Sequence, residues 1–494
     1  MRYFRLSVSG GLGLLVLLAA GCNSEGGSTV TQRPIDATEA TTATNERVDM
    51  VLTGLADATD QMKSTGETSA AGDGLTVIFS GDPCNTTTNS PADSVPEETT
   101  NALGDAIKKV RDEAKTHVFR QDLVESDDGN RVVYKMIPAE VCDSNTECID
   151  KLTANPVRFS VTANSDDTLN VALLVGQEQH NPANAVLGEN KLSVRGDLTE
   201  LMDSLRLFMS TTEQADLPDK LAGSVEWSIE KRAAGEFVIT SALLSRFELL
   251  TGQTKGKPVS VSVQPTSPTS QITINSNTNS ITFSENIGTV DVTAAGSAVC
   301  GDLQCGAPEE AGTFGLHVAG LTGQFATSAG ATEVTFSDLG LGADTSYLSL
   351  NGQKLTQVDL NPSSGRKFSM NFKKTDAGTL VTFEPELDLA VAMAMSNLSE
   401  TMRVDMPDWL SNEVLDVTLG GAPKPSVLIP AKVCDASGNV TTKDQIEVIA
   451  GKLSLDATSI AAPVEVMAGM CLVPVENTEN LTHPMTLVTS GICQ

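Results

Sequence analysis

Apolar and polar residues alternate along most of the chain beyond residue 150, and this period of two constrains the fold more than any other feature. Side chains two positions apart lie on the same face of a strand, so alternation predicts strands with one buried face. The chain has 494 residues, of which 40% are apolar, which is enough to form a core. We therefore predict an α+β protein that is predominantly antiparallel β, with long strands and a few helices mainly in the N-terminal half.

Turn residues locate two hairpins within this pattern. The polar segment 164–167 separates alternating residues in 157–161 from those in 169–175. Asn351-Gly352 suits a type I′ turn, because both residues tolerate positive φ. Three helices are predicted where apolar residues recur at spacings of three and four, at 45–64, 97–115 and 198–208. Asp197 with Glu200 resembles a capping box at the start of the third helix.

The longest alternating segment, 381–395, predicts one continuous strand of about 50 Å. Its even positions change from acidic to small residues, so the second half is expected to contact another surface. Candidate residues for an apolar groove follow from this segment: Leu387, Leu389, Val391, Met393 and Met395. Two alternatives stay open: a helix over 386–400, since Ala and Met favour helices, and methionines that simply fill the core.

The charge balance excludes one large class of proteins. There are 33 Lys+Arg and 63 Asp+Glu, a net charge of −30, whereas nucleic-acid binding needs a basic surface. No nucleophile elbow, P-loop or dinucleotide-binding glycine motif occurs, so no cofactor is expected. The four His have no recognisable partners in sequence, and His317 is expected to face solvent. No metal site is predicted; a calcium loop at 143–147 is a weak alternative.

The N-terminus carries an export pattern. Arg2 and Arg5 precede the apolar segment 12–18, and Ala19-Ala20-Gly21-Cys22 follows. These residues resemble the lipobox of bacterial lipoproteins, although Ala19 stands where Leu is commoner. The resemblance covers about 22 residues and implies cleavage before Cys22 and attachment of acyl chains there, which anchor a protein stably to a membrane. Residue 23 is Asn rather than Asp, which favours the outer membrane of a Gram-negative bacterium. An ordinary secretory signal cut after residue 21 is the alternative.

The domain organisation follows from this pattern. We expect a signal peptide over 1–21 and a flexible, Gly/Ser/Thr-rich tether over 22–44. A mixed α/β region over 45–264 and a β-rich region over 271–494 come next. The Pro-rich segment 265–270 is either a linker between them or a long hairpin loop.

The remaining cysteines predict disulfides, because their number is even and the chain is expected to be exported. They are Cys84, Cys142, Cys148, Cys300, Cys305, Cys434, Cys471 and Cys493. Two pairs, 142 with 148 and 300 with 305, can close short loops. Cys471 with Cys493 would hold the C-terminus in place.

Three functions are compatible with these features. The first is a non-catalytic, lipid-anchored cell-envelope protein that serves as a binding or structural module, with the membrane as its partner. The second is a carrier of a lipid or another hydrophobic ligand in an apolar β-lined groove. The third, an enzyme that uses carboxylates, has the least support because no catalytic motif is present.

Overall fold

The computed structural model describes residues 31–64, 108–109, 111–112, 114–142, 145–210, 214–215, 217–253, 257–264, 270–295, 313–328, 332–341, 346–360, 367–384, 387–393, 413–421, 424–434, 440–441, 445–457, 462–474 and 488–493. These residues are mostly antiparallel β-sheet. They form two compact units. Unit 1 holds the described residues of 31–249 and 270–278, and unit 2 holds those of 250–264 and 279–493.

Unit 1 contains the helices and the first strands. The helices are α1 (Ala37–Ser64), α2 (Pro138–Val141), α3 (Thr146–Ala154) and α4 (Leu198–Arg206), with a 3-10 turn at Gln121–Leu123. Residues 108–109, 111–112 and 114–117 are also helical, and all of them except 116–117 lie inside the helix predicted at 97–115. The strands are β1 (Gln32–Arg33), β2 (Val124–Asp127), β3 (Arg131–Lys135), β4 (Val157–Asn164), β5 (Leu169–Val175), β6 (His180–Leu187), β7 (Lys191–Asp197), β8 (Lys220–Ala222), β9 (Ser224–Ala233), β10 (Glu236–Leu243) and β13 (Ser270–Asn275).

Strand β11 (Phe247–Thr251) crosses the division between the units, and all further strands belong to unit 2. They are β12 (Val259–Val263), β14 (Ser280–Ile287), β15 (Val290–Ala295), β16 (Thr313–Val318), β17 (Leu321–Ser328), β18 (Glu333–Leu341), β19 (Ser346–Leu350), β20 (Gln353–Leu360), β21 (Lys367–Thr375), β22 (Gly378–Glu384), β23 (Leu387–Met393), β24 (Glu413–Gly420), β25 (Ser426–Pro430), β26 (Val433–Cys434), β27 (Val440–Thr441), β28 (Ile446–Ala450), β29 (Lys452–Ala457), β30 (Val464–Met467), β31 (Met470–Pro474) and β32 (Val488–Ile492). Because β12 lies in unit 2 and β13 in unit 1, the chain passes between the units more than once, rather than at one boundary near 265–270.

An antiparallel sheet and the long helix α1 form the body of unit 1. The strands follow the order β2–β3–β4–β5–β6–β7–β9–β10–β13, with β1 continuing the line of β3 beside β4. Helix α1 lies against this sheet and buries Val48, Val51 and Leu55. Gly54 permits the close approach, because a Cβ there would lie 2.8 Å from the Phe237 ring. The predicted hairpin at 157–175 is confirmed as β4 and β5.

Helix α1 begins eight residues before the predicted helix, and this corrects the expected flexible tether over 22–44. The Asp36 carboxylate accepts a hydrogen bond from the Glu39 backbone N–H at 2.8 Å, as in a helix N-cap. Ala40 and Thr44 are fully buried, and β1 pairs with β4. Residues 32–44 are therefore part of the folded unit, although their Thr-rich composition is typical of a linker.

Tyr134 makes unit 1 sensitive to alkaline pH. Its side chain is 1% exposed, and its hydroxyl lies 2.9 Å from the Thr41 hydroxyl. Burial raises the pKa of Tyr134, because the charged phenolate loses its hydration. A group with a raised folded-state pKa contributes stability below its ordinary pKa and loses it as the pH rises through the folded-state pKa.

We therefore expect Tyr134 to ionise only as unit 1 unfolds at alkaline pH. Ultraviolet absorbance of tyrosinate, recorded together with circular dichroism during a base titration, measures this. In the wild-type protein one tyrosine should ionise together with the unfolding transition, and Tyr134→Phe should remove that step. Ionisation of every tyrosine while the circular dichroism signal stays native would contradict the assignment.

The described part of unit 2 contains two large antiparallel sheets, whose strands alternate along the chain, and a short ribbon formed by β26 and β27. Sheet I has the order β14–β17–β18–β21–β22–β25–β28–β31–β32. Sheet II has the order β12–β15–β16–β19–β20–β23–β24–β29–β30. The Asn351-Gly352 hairpin is confirmed between β19 and β20, with both residues at positive φ. No helix among the described residues is long and apolar enough to span a bilayer.

Most links between the sheets are short. An extended segment of chain therefore often forms a strand of sheet I and, directly before or after it, a strand of sheet II. Gly288 lies between β14 and β15, Gly320 between β16 and β17, and Gly451 between β28 and β29. A Cβ on Gly320 would approach the Ile287 carbonyl oxygen to 3.0 Å, so neighbouring links run close together. Glycine therefore allows the chain to turn from one sheet into the other.

The same construction corrects the predicted 50 Å strand over 381–395. Its first part is β22 in sheet I, and residues 387–393 are β23 in sheet II. A strand rather than a helix is confirmed for 387–393. One alternating sequence thus forms two strands in different sheets. Pro385 and Met395 lie outside the described residues.

Candidate hydrophobic-ligand surface

Five apolar residues form one row across sheet I. Phe283 of β14 pairs with Phe325 of β17, which pairs with Phe336 of β18. The row continues through Met370 of β21 to Phe383 of β22. Directly paired residues share one face of an antiparallel sheet. Because neighbouring strands are about 4.8 Å apart, this phenylalanine row is about 19 Å long.

The two ends of the phenylalanine row differ in burial. Phe383 is 9% exposed and belongs to the core of unit 2, and Met370 packs against that core. Phe336 and Phe325 are half-buried, with ring centroids 5.0 Å apart. Phe283, at the other end, is 36% exposed. The row therefore leads from a packed interior to solvent.

Sheet II also exposes apolar side chains on its inner face. Leu316 of β16 pairs with Leu348 of β19, and they are 43% and 37% exposed. Leu348 pairs in turn with Thr356 of β20. Side chains alternate along β20, so Thr356 lies on the face of sheet II whose cross-strand pairs lead to Val417 and Leu455. Leu455 belongs to the core of unit 2, and Val417 packs against it. Leu316 and Leu348 thus lie on the core-facing side of sheet II and remain accessible.

The two sheets pack together at the other end of unit 2. Buried residues of both sheets form one core there: Val381, Phe383 and Val448 from sheet I, and Leu419, Leu453, Leu455 and Val466 from sheet II. The inner faces are therefore closed around β22, β24, β28 and β29, whereas between β14 and β19 buried inner residues such as Val334 and Leu350 lie beside partly accessible ones. We call the accessible part, formed by Phe283, Phe325, Phe336, Leu316 and Leu348, the open inner surface.

The open inner surface is not where the sequence predicts a groove. The backbone of Leu387, Leu389, Val391 and Met393 forms β23, between β20 and β24. Leu387 pairs with Leu419, which is 2% exposed in the packed core. The candidate residues of the predicted groove therefore lie beside the closed part of the sheets.

The disulfides predicted at two places are confirmed. Cys142 is bonded to Cys148, with their Cα atoms 5.7 Å apart, and this bond joins α2 to α3. Cys471 is bonded to Cys493, with a Cα separation of 5.0 Å, and this bond connects the end of β32 to β31. Cys434 is also disulfide-bonded. The other cysteines of the prediction, Cys22, Cys84, Cys300 and Cys305, lie outside the described residues.

His317 has partners that the sequence did not reveal, which corrects its expected solvent-facing role. On the outer face of sheet II, His317 pairs across strands with Asp291 and Tyr347. Its Nδ1 lies 2.6 Å from the Asp291 carboxylate, and its ring stacks on Tyr347 with centroids 4.9 Å apart. The Lys354 ammonium lies 4.5 Å from the Tyr347 ring centroid. These contacts join four adjacent strands, and they account for the burial of most of the His317 side chain.

His180 likewise has an acidic partner, since its Nδ1 lies 3.1 Å from the Glu200 carboxylate. The Asp197 carboxylate accepts hydrogen bonds from the backbone N–H groups of Thr199 and Glu200, which confirms the cap predicted for α4. The expectation that no His has a partner is therefore wrong for His180 and His317. His483 lies outside the described residues.

The acidic segments use their oxygens in local turns. The Asn145 side-chain oxygen accepts a hydrogen bond from the Cys148 backbone N–H at 3.2 Å, as the N-cap of α3. Asp128 accepts hydrogen bonds from the backbone N–H groups of Asn130 and Arg131, which lower the pKa of its carboxyl. Within the described part of the chain, no group of three or more His, Cys, Asp or Glu is arranged to hold a metal.

Comparison of the chain with protein-family models, with curated proteins and with solved structures found no match.

Proposed function

We propose that this chain is a lipid-anchored, non-catalytic protein of the bacterial cell envelope that binds a hydrophobic ligand on the open inner surface of unit 2. The observation that carries the proposal is the phenylalanine row, whose burial decreases from Phe383 to Phe283. Water-exposed phenylalanine and leucine on the inner faces of a two-sheet unit are costly, because each exposed apolar Å² costs about 25 cal/mol. A bound apolar ligand would remove that cost.

The anchor and the location are part of the same proposal. The lipobox-like residues before Cys22 support attachment of acyl chains there, and residue 23 favours the outer membrane. We also propose the α+β class for the whole chain, with its helices concentrated in the N-terminal half. A purely structural module is the second candidate, in which the exposed phenylalanines are ordinary packing residues without a ligand.

Removing the anchor tests both parts of the proposal. We expect Cys22→Ala to release the protein from the membrane fraction, whereas Ser24→Ala, two residues away, should leave it membrane-bound. Organic extraction of the released protein followed by mass spectrometry should identify co-purified lipid. Continued membrane association of Cys22→Ala would contradict the anchor. Released protein that carries no lipid and takes up none when lipid is supplied would favour the structural module.

A further inference from the structure

Four hairpin turns lie at one end of the unit 1 sheet. They connect β2 to β3, β4 to β5, β6 to β7 and β9 to β10, at residues 128–130, 165–168, 188–190 and 234–235. The described chain enters at the same end, because the Ser165 backbone N–H donates a hydrogen bond to the Thr31 carbonyl oxygen at 2.8 Å. We call these four turns the turn end of unit 1.

The folded chain begins close to the proposed acylation site. Thr31 follows Cys22 by nine positions in the sequence. A polypeptide extends by at most about 3.5 Å per residue, so these two residues can be no more than about 31 Å apart. The predicted tether over 22–44 would have allowed more than twice this distance. Because residues 32–44 are folded, the turn end stays within about 31 Å of the anchor.

The opposite end of unit 1 is too far from Thr31 to be the end nearest the bilayer. Strand β4 has eight residues and spans about 26 Å. Helices α2 and α3 connect β3 to β4 at that opposite end, and one helix adds a thickness of about 10 Å. With unit 1 inverted, Thr31 would lie about 36 Å from the bilayer, beyond the reach of the chain from Cys22.

The turn end carries negative charge where the chain enters. Residues 31–39, 126–131 and 164–168 contain six Asp or Glu and two Arg, so their net charge is −4. The Asp166 carboxylate accepts hydrogen bonds from the Thr168 hydroxyl and backbone N–H, which lower the pKa of its carboxyl. Asp166 therefore stays ionised below the usual range of aspartate. An anionic headgroup layer repels such a surface, whereas a zwitterionic layer has no net charge to oppose it.

We infer that the short link to Cys22 holds the turn end of unit 1 toward the bilayer, and that this end fits a zwitterionic rather than an anionic headgroup layer. This inference rests on the proposed attachment of acyl chains at Cys22, and it adds the face of the protein and the kind of lipid surface that meet. Repulsion from an anionic layer would act across the whole gap in 0.01 M salt, where the Debye length is about 30 Å, and would be screened within about 3 Å in 1 M salt.

Resonance energy transfer from the two ends of β5 tests the orientation. Ser165→Cys lies in the turn end and Gln177→Cys at the other end of β5, and both positions are exposed. Each variant of the acylated full-length protein is labelled with the same maleimide fluorophore and bound to phosphatidylethanolamine–phosphatidylcholine vesicles that contain rhodamine-labelled lipid. The strand between the labels spans about 23 Å. We therefore expect at least about twofold more efficient transfer from position 165 than from position 177.

The lipid composition tests the charge of the turn end. Replacing about a third of the lipid with phosphatidylglycerol in 0.01 M salt should lower transfer from position 165 by at least about a third, and 1 M salt should restore it. Asp166→Asn/Asp167→Asn removes two charges at the turn end and should remove about half of that decrease. Glu147→Gln/Glu178→Gln removes two exposed charges at the opposite end and should leave the decrease unchanged.

The outcomes separate the inference from the function on which it rests. Equal transfer from the two positions, or greater transfer from position 177, would overturn the orientation. Equal transfer from position 165 in zwitterionic and anionic vesicles at low salt would overturn the preference for a zwitterionic layer. Failure of the acylated protein to float with the vesicles would overturn the proposed anchor itself. Circular dichroism of each variant identifies any loss of fold.

Discussion

Gly451→Ala is expected to destabilise unit 2 by about 3 kcal/mol, because the added methyl group meets two independent obstacles. Gly451 links β28 to β29 with φ +80°, a conformation in which an L side chain is strained. A Cβ at this position would lie 2.3 Å from the Gly420 carbonyl oxygen and 3.1 Å from Pro425 Cβ. The oxygen belongs to the backbone, so no side-chain rotation can relieve the contact.

Gly469 provides a matched control for this prediction. It has φ +81°, yet a Cβ there has no atom within 4 Å, so Gly469→Ala isolates the cost of positive φ, about 1 kcal/mol. Hydrogen exchange measured by mass spectrometry over β24, β28 and β29 reports the stability of the link. Exchange there should be much faster in Gly451→Ala than in Gly469→Ala. Equal exchange rates in the two variants would contradict the prediction, because they would show that the Gly420 backbone moves away from the added methyl group.

Local features of the sequence predicted the local parts of the fold. The Asn351-Gly352 turn, the hairpin over 157–175 and the cap at Asp197 each depend on residues a few positions apart. Both confirmed disulfides involve cysteines separated by 6 and 22 residues. Turns, caps and disulfides between residues that are close in the chain can be predicted from the local pattern of residue types.

The start of α1 shows where composition misleads. Residues 37–44 are rich in Thr and Ala and contain no large apolar residue, so their composition predicts a tether. In the structure Asp36 caps the helix and tertiary packing buries Ala40 and Thr44. Small residues are needed where a helix lies close to a sheet, and sequence alone does not distinguish that need from flexibility.

The candidate site depends on the register between strands far apart in sequence. Phe283 pairs with Phe325, and Phe336 pairs with Met370, across separations that no local pattern encodes. Asp291 and His317 meet for the same reason. The alternation in each strand correctly indicated one apolar face. It could not indicate which apolar faces pack together and which stay accessible, because the distribution of contacts between the sheets decides that.

Phe325→Asp is expected to weaken hydrophobic-ligand binding more than any other single change on the open inner surface. Phe325 lies in the middle of the phenylalanine row, between Phe283 and Phe336. A carboxylate there would have to lose its hydration against the apolar ligand without a compensating charge. We expect the affinity for the ligand to fall at least about tenfold, or about 1.4 kcal/mol.

Ala326→Asp is the matched control, because position 326 is exposed on the opposite face of the same strand β17. Both variants add one negative charge to the same strand, so electrostatic effects at long range are similar. Phe325→Leu keeps an apolar side chain at the inner position and should retain most of the affinity. Circular dichroism of all three variants identifies any loss of fold ahead of the binding comparison.

Titration of N-phenyl-1-naphthylamine into the wild-type protein, Phe325→Asp and Ala326→Asp tests whether the open inner surface binds a hydrophobic ligand. The probe is neutral and fluoresces strongly only when it leaves water, so its emission reports occupancy of an apolar surface. We predict saturable binding to the wild-type protein and to Ala326→Asp, and at least about tenfold weaker binding to Phe325→Asp. Equal binding to the three folded proteins, or no binding to the wild type, would contradict it.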